Sequence, residues 1–133
     1  MTMKIMIVDD EAGFIKVIGT IAEQLGMDVR AVNDPLGAVA AFIDYRPDVL
    51  IIDMIMPRKD GVDVLNEILG AGIPVRIVLT SGLSEAYLRL ARGVARYHGI
   101  DRVHVLKKPF RRNELVALLK RLADEQPPAD TGR

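Results

Sequence analysis

The chain has 133 residues, half of them apolar and about a quarter charged, with no cysteine and a formal net charge of zero. This is the composition of one globular domain able to bury its own core, and it excludes a disulfide scaffold and a thiolate metal centre. The zero hides an asymmetry: residues 1–82 carry seven Lys/Arg against twelve Asp/Glu, and residues 83–133 carry eleven against six.

The elements alternate along the chain. Lys4–Val8 is an apolar run that reads as a buried strand. Phe14, Val17, Ile18, Ile21 and Leu25 then recur at helical spacing, and Gly26 is placed to end that helix. A second strand is expected over about Asp28–Asn33. Asp34 then caps a helix with Pro35 in its first turn and Val39, Phe42 and Ile43 on its apolar face. Val49–Ile52 is continuously apolar and mostly β-branched, as a central strand should be. Pro57–Gly61 reads as a loop, and Val64, Leu65, Ile68 and Leu69 mark a third helix broken by Gly70, Gly72 and Pro74. Val75–Leu79 is a fourth strand. Ser84 and Glu85 open a fourth helix running to about Tyr97, with Gly99 just past its end. Val103–Leu106 is the fifth strand, and Leu115, Leu118, Leu119 and Leu122 mark a fifth helix. Gln126–Arg133, with Pro127 and Pro128, has no apolar period and is expected to be a disordered tail after one domain spanning residues 1–125.

Five strand–helix units imply a parallel sheet with helices on both faces, in one of the two common doubly wound orders. In such sheets the carboxyl ends of the strands form the binding crevice. Four of the apolar runs end in chemistry there: Asp9 and Asp10, Asp53, Thr80, and Lys107 with Lys108. Three carboxylates crowded together repel unless a cation joins them. The set therefore suits a hard divalent metal and an anion. Each residue alone has a plainer reading. The acids could cap helices, where the dipole favours them, and Glu11 is assigned that role. Thr80 could be an ordinary strand residue, and either lysine a solvated one. Alternation along the strand lets only one of Lys107 and Lys108 reach the crevice.

The set V-D-D-E at Val8–Glu11, I-D-M-I-M-P-R-K-D-G at Ile52–Gly61, L-T-S-G at Leu79–Gly82 and K-K-P-F at Lys107–Phe110 resembles the receiver domain of bacterial two-component response regulators. The resemblance spans about residues 3–124. It implies a flavodoxin-like fold, a doubly wound five-stranded parallel sheet of order 2-1-3-4-5 with five helices, and a switch point between strands one and three. It implies that Asp53 accepts a phosphoryl group, as carboxylate nucleophiles do, and that Thr80 and Lys108 hold the phosphoryl oxygens. It implies Mg2+ (or Mn2+) on Asp10, Asp53 and the backbone carbonyl of Ile55, with Asp9 acting through water. It selects Lys108, the lysine directly before proline, and implies a cis Lys108–Pro109 bond, which tertiary amides tolerate readily. The implied partner is a histidine kinase or a histidine phosphotransfer protein. The downstream target is unknown, and a dimer through the fourth and fifth helices is an option.

The chain departs from that family at three places. Val105 stands where an aromatic switch residue is usual, and Ser81 where alanine is. The stretch between Thr80 and Lys108 is longer by roughly one or two helical turns, placed around Arg89–Gly99. The tail is too short for an output module, so the chain reads as a single-domain receiver or a piece cut at a linker. Two other classes compete. A pseudo-receiver would keep the fold as a binding module without phosphorylation. A stand-alone phosphatase would want an acid at position 55, which is isoleucine, and a nucleotide binder would want a glycine-rich loop after the first strand. Direct nucleic-acid binding is not expected, because Arg89, Arg92 and Arg96 share a helix face without interleaved aromatics. No basic segment leads into an apolar stretch at the start, and no apolar run nears the ~20 residues of a membrane span. A cytoplasmic protein without membrane contact is expected.

His98 and His104 are unrelated in spacing and read as structural or surface residues.

Overall fold

The computed structural model describes residues 2–82 and 85–125. The expected tail, residues 126–133, and Ser84 at the head of the fourth helix lie outside them. The elements are β1 (Lys4–Val8), α1 (Ala12–Gln24), β2 (Asp28–Val32), a 3-10 turn (Pro35–Gly37), α2 (Ala38–Tyr45), β3 (Val49–Asp53), α3 (Gly61–Leu69), β4 (Arg76–Ser81), α4 (Glu85–Tyr97), β5 (Val103–Lys107) and α5 (Arg112–Asp124). All strand pairs are parallel, in the order β2-β1-β3-β4-β5. This is the expected flavodoxin-like order.

The sheet is central because its strands have apolar residues on both faces. Along β3 every residue is buried. Leu50 and Ile52 join Met6, Val8, Ile77 and Leu79 beneath α2, α3 and α4, against Phe42, Leu65 and Leu88. Val49 and Ile51 point the other way, with Ile5, Ile7 and Val78, onto Ile18, Ile21, Leu115 and Leu119 of α1 and α5. Period-two alternation thus feeds two cores from one strand. Each fully buried Leu or Ile contributes about 1.5–3 kcal/mol.

Local signals set most ends and faces, with differences from expectation that include Ile43, 45% exposed, and a fourth strand running Arg76–Ser81. Asp34 accepts from the Leu36 backbone N–H at 3.0 Å, so it caps the 3-10 turn, and α2 begins only at Ala38. Val17 is 49% exposed, so the apolar face of α1 runs through Ile18, Ile21 and Ala22 instead. Gly61 is not in a loop but is the first residue of α3, capped by Asp60, whose carboxylate accepts from Val62 N–H at 2.8 Å. Gly26 ends α1 with φ +82, in the left-handed region that favours glycine.

His104 in β5 has its Nε2 buried without a hydrogen bond among the described residues; its nearest acid oxygen, on Glu125, lies 3.7 Å away. Burial holds its pKa below the ordinary histidine value. Glu125 opposes this, while Arg102, Arg121 and Arg76 push it further down. A depressed histidine favours the neutral ring in the fold. Its contribution to stability is full above the unfolded value of about 6.5 and is lost as pH falls through the folded pKa. Urea unfolding at about pH 7.5 and about pH 5 should show the native chain losing more stability than His104→Val. Equal losses would remove His104 as the responsible group.

Candidate functional site

The crevice arises from the order of the strands. The helix after β1 packs on the face shared with α5, and the helix after β3 packs on the face shared with α2 and α4. The two connections diverge, leaving a gap above the carboxyl ends of β1 and β3. Register completes it: Val8 lies beside Ile52, and Asp53 beside Thr80.

Asp9 follows β1 directly and is 1% exposed. Its backbone N–H donates to Val32 O at 3.2 Å, and its Oδ1 accepts from Glu11 N–H at 2.9 Å. Asp53 is 4% exposed, and its Oδ1 accepts from Ile55 N–H at 3.1 Å. Asp10 is partly exposed. Carboxylate oxygens of Asp9, Asp10 and Asp53 all lie within 4.8 Å of one another. The Lys108 ammonium enters this group, 2.9 Å from Asp9 Oδ2 and 3.3 Å from Asp53 Oδ2. It also lies 3.4 Å from Glu11 Oε1 and 4.0 Å above the centre of the Phe14 ring. The Lys108–Pro109 bond is cis. Lys107 is the last residue of β5 and is exposed. Thr80 is 1% exposed, and its carbonyl accepts from Met54 N–H at 3.2 Å.

Charge explains how these groups coexist. Burial raises the Asp53 pKa; Ile55 N–H and Lys108 pull it down, and Asp9 adds to the rise. Burial pushes Lys108 down, but its bonds and attraction to Asp9 and Asp53 outweigh that and leave it above the ordinary lysine value. Lys108 is therefore a fixed cation in a pocket with more carboxylate than it can neutralise. Hard oxygen donors in such a pocket fit a small divalent ion such as Mg2+, which needs few protein ligands.

Asp9, Asp10, Asp53 and Lys108 come together here, and Thr80 lies beside Asp53 in the strand register. Glu11 requires a correction. It occupies the N-cap position of α1, but its side chain makes no cap bond and turns to Lys108 instead. Ile55 exposes its side chain by 56%, at the rim. Three further residues were hidden in the sequence. A Cβ on Gly61 would meet Asp53 O at 2.4 Å and Met54 Cα at 2.6 Å, so α3 seats its first residue on the backbone of the acceptor strand. Asp60 receives a hydrogen bond from the Tyr87 hydroxyl at 2.8 Å, tying α4 to that same loop. The available signal was Asp60 ahead of the periodic Val64 and Leu65, a cap pattern masked by Asp-Gly, which also reads as a turn. The histidines stand apart. His98 pairs with Asn66 at 2.8 Å on the surface.

No described helix is long and apolar enough to cross a membrane. The chain matches the family of the response regulator receiver domain over residues 5–120. It is 32% identical over 109 residues to the protein-glutamate methylesterase/protein-glutamine glutaminase 1 of Anaeromyxobacter dehalogenans, covering 82% of this chain and 30% of that one. It is 31% identical over 134 residues to the response regulator MprA of Mycobacterium tuberculosis, covering 98% and 54%. The chain thus spans about half or less of the length of these curated relatives. Among solved structures, the Vibrio cholerae chemotaxis protein CheY4 aligns with a TM-score of 0.78 at 21% identity, over 92% of this chain and 99% of that one. The receiver domain of the Francisella response regulator 1452 aligns with a TM-score of 0.74 at 26% identity, over 91% and 96%. Asp9, Asp10, Asp53 and Lys108 thus converge, with Thr80 beside Asp53 in the register, within a fold and a sequence match that agree, and the chain belongs to the response regulator receiver domain family.

Proposed function

We propose that this receiver, residues 1–125, is a phosphoacceptor switch that takes a phosphoryl group on Asp53 from a histidine kinase or a histidine phosphotransfer protein. The observation that carries this reading is the buried Asp53 carboxylate held beside Lys108, Asp9 and Asp10 in one crevice. A carboxylate oxygen of Asp53 attacks phosphorus in line, the bond from phosphorus to the donor atom breaks, and the donor leaves with its electron pair. Charge then develops on the phosphoryl oxygens, where the Lys108 ammonium and the Thr80 hydroxyl stabilise it. Asp10, Asp53 and the Ile55 carbonyl would hold Mg2+, or Mn2+, with Asp9 acting through water. When bound, the ion supplies charge neutralisation among the crowded carboxylates and the incoming phosphate. Phosphorylation then changes the affinity for a partner in the cytoplasm, with the fourth and fifth helices available for dimer formation.

The test is mass spectrometry after treatment with acetyl phosphate and Mg2+. Gain of one phosphoryl group supports the switch. No gain, together with an unchanged spectrum on adding beryllofluoride, would leave a phosphorylation-independent binding module.

Metal binding should depend on the acid pair. Asp10→Ala should weaken Mg2+ about tenfold or more, as expected for loss of a charged ligand, and Glu11→Ala by less than about threefold. There is no tryptophan to report binding, so calorimetry or NMR serves. Equal losses from the two substitutions would mean that Asp10 is no more a metal ligand than Glu11.

The phosphorylated form should be long-lived. Ile55 offers no polar atom to orient attacking water at the rim, and Gly82 offers no side chain at all. General-base or positioning help is worth at most ~10²–10⁴-fold, so a single amide in Ile55→Asn should speed decay by about three- to tenfold. Decay of the native phosphoprotein as fast as that of Ile55→Asn would remove position 55 as the control.

A further inference from the structure

We infer that Phe14 is a positioning residue for Lys108, seating its ammonium at the mouth of the crevice on the face of the aromatic ring. The inference rests on the phosphoacceptor reading and assigns to that site a residue outside its charged set.

Phe14 follows the periodicity of α1, yet it does not pack into either apolar core among the described residues. It is half-buried at the head of the helix, with its backbone N–H donating to Glu11 O at 3.1 Å. Its ring centre lies 4.0 Å from Lys108 Nζ. The far side of the arrangement is Phe110, two residues after Lys108, whose ring centre is 6.0 Å from that of Phe14 at a 47° tilt. The Lys108 side chain is only 11% exposed, so the ring acts in a largely dry place, where attraction between a cation and a ring face is strongest.

A ring face differs from the three carboxylates around Lys108 in what it demands. Asp9, Asp53 and Glu11 each engage an N–H of the ammonium, and a phosphoryl oxygen on Asp53 must take over one of those donors. The ring attracts the charge without competing as a strong acceptor. It can hold Lys108 in place while its hydrogen bonds are exchanged. Glu11 is a weaker alternative because its side chain is 56% exposed and its pull is screened by water.

Initial rates of phosphorylation by acetyl phosphate in Mg2+ test this on the full chain. Phe14→Leu keeps apolar bulk but removes the ring, and the rate should fall by about 3- to 30-fold. Phe14→Tyr restores a ring of similar face charge and should recover most of the rate. Pentafluorophenylalanine at position 14 keeps the shape and reverses the charge of the face, and it should behave like leucine or worse. If leucine or the fluorinated ring matches phenylalanine, Phe14 is packing only and the inference falls. If tyrosine is as slow as leucine, it falls too. A native chain that takes no phosphate overturns the phosphoacceptor reading itself, and the inference with it.

Discussion

Asp53→Asn is expected to abolish the hydroxylamine-labile phosphate that the native chain gains from acetyl phosphate and Mg2+. The amide oxygen is a poor nucleophile and cannot form an acyl phosphate, while the amide keeps the shape of the carboxylate and its single oxygen can still accept from either Ile55 N–H or Lys108. The loss should therefore be chemical and not structural, and stability separates the two. Burial raises the pKa of Asp53, so the fold disfavours its ionised form. A raised carboxyl adds stability that is fully present below its unfolded value of about 3.9 and is lost as pH rises through the folded value. At neutral pH without divalent ions, Asp53→Asn should then melt at or above the native temperature. Added Mg2+ should reverse that order, because it stabilises the chain that binds it. A labelled Asp53→Asn protein would move the acceptor elsewhere. A variant that melts well below the native chain in chelator would show that Asp53 is needed for the fold.

Gly61→Ala is expected to be the most crowded alanine substitution among the described glycines. The added carbon would lie 2.4–2.7 Å from Asp53 O, Met54 Cα and Met54 C, all of them backbone atoms of the acceptor strand and its loop. No flexible side chain can yield there. Either α3 lifts away from the sheet or the loop after Asp53 moves. Overpacking of this kind costs about 1–3 kcal/mol or more, and at roughly 3–6 °C per kcal/mol for a domain of this size the melting temperature should fall by about 3–18 °C. Weaker Mg2+ binding should accompany it, since the same loop carries Ile55. Gly93→Ala in the exposed face of α4, where a Cβ meets nothing within 4 Å, is the control and should be neutral or slightly stabilising. A drop for Gly61→Ala no larger than for Gly93→Ala would mean that the close approach of α3 to Asp53 is not as tight as described.

Much of the architecture was legible because its cause is local. The runs Ile5–Val8 and Val49–Ile52 are apolar at every face that a central parallel strand must bury, and the helices repeat at three and four residues. Boundaries were less legible where two local rules compete. Asp34 with Pro35 fits the start of either an α-helix or a 3-10 turn, and Asp60 with Gly61 fits a cap or a turn. The strand-end residues were also legible, because a parallel sheet brings the carboxyl ends of its strands to one edge whatever loops follow. The expected strand order rested on the family resemblance, and the structure has that order.

What the sequence could not determine is which neighbours those side chains choose. Glu11 looked like a cap, but Lys108, ninety-seven residues away, draws its carboxylate off the helix end. Tyr87 and Asp60 meet only because α3 and α4 pack side by side on one face of the sheet. Phe14 and Lys108 meet only because α1 shares the other face with α5, whose leading loop carries the lysine. Periodicity assigns a residue to a face of its own element. Long-range contacts depend on how two elements cross, and that is set by the summed packing of many apolar side chains, which no short stretch of sequence contains. The sequence by itself thus determined the strands, the helices and the set of groups at the sheet edge. Tertiary packing alone decided that Lys108 sits between Asp9 and Asp53 with an aromatic ring beneath it, and that α3 rests directly on the backbone of Asp53.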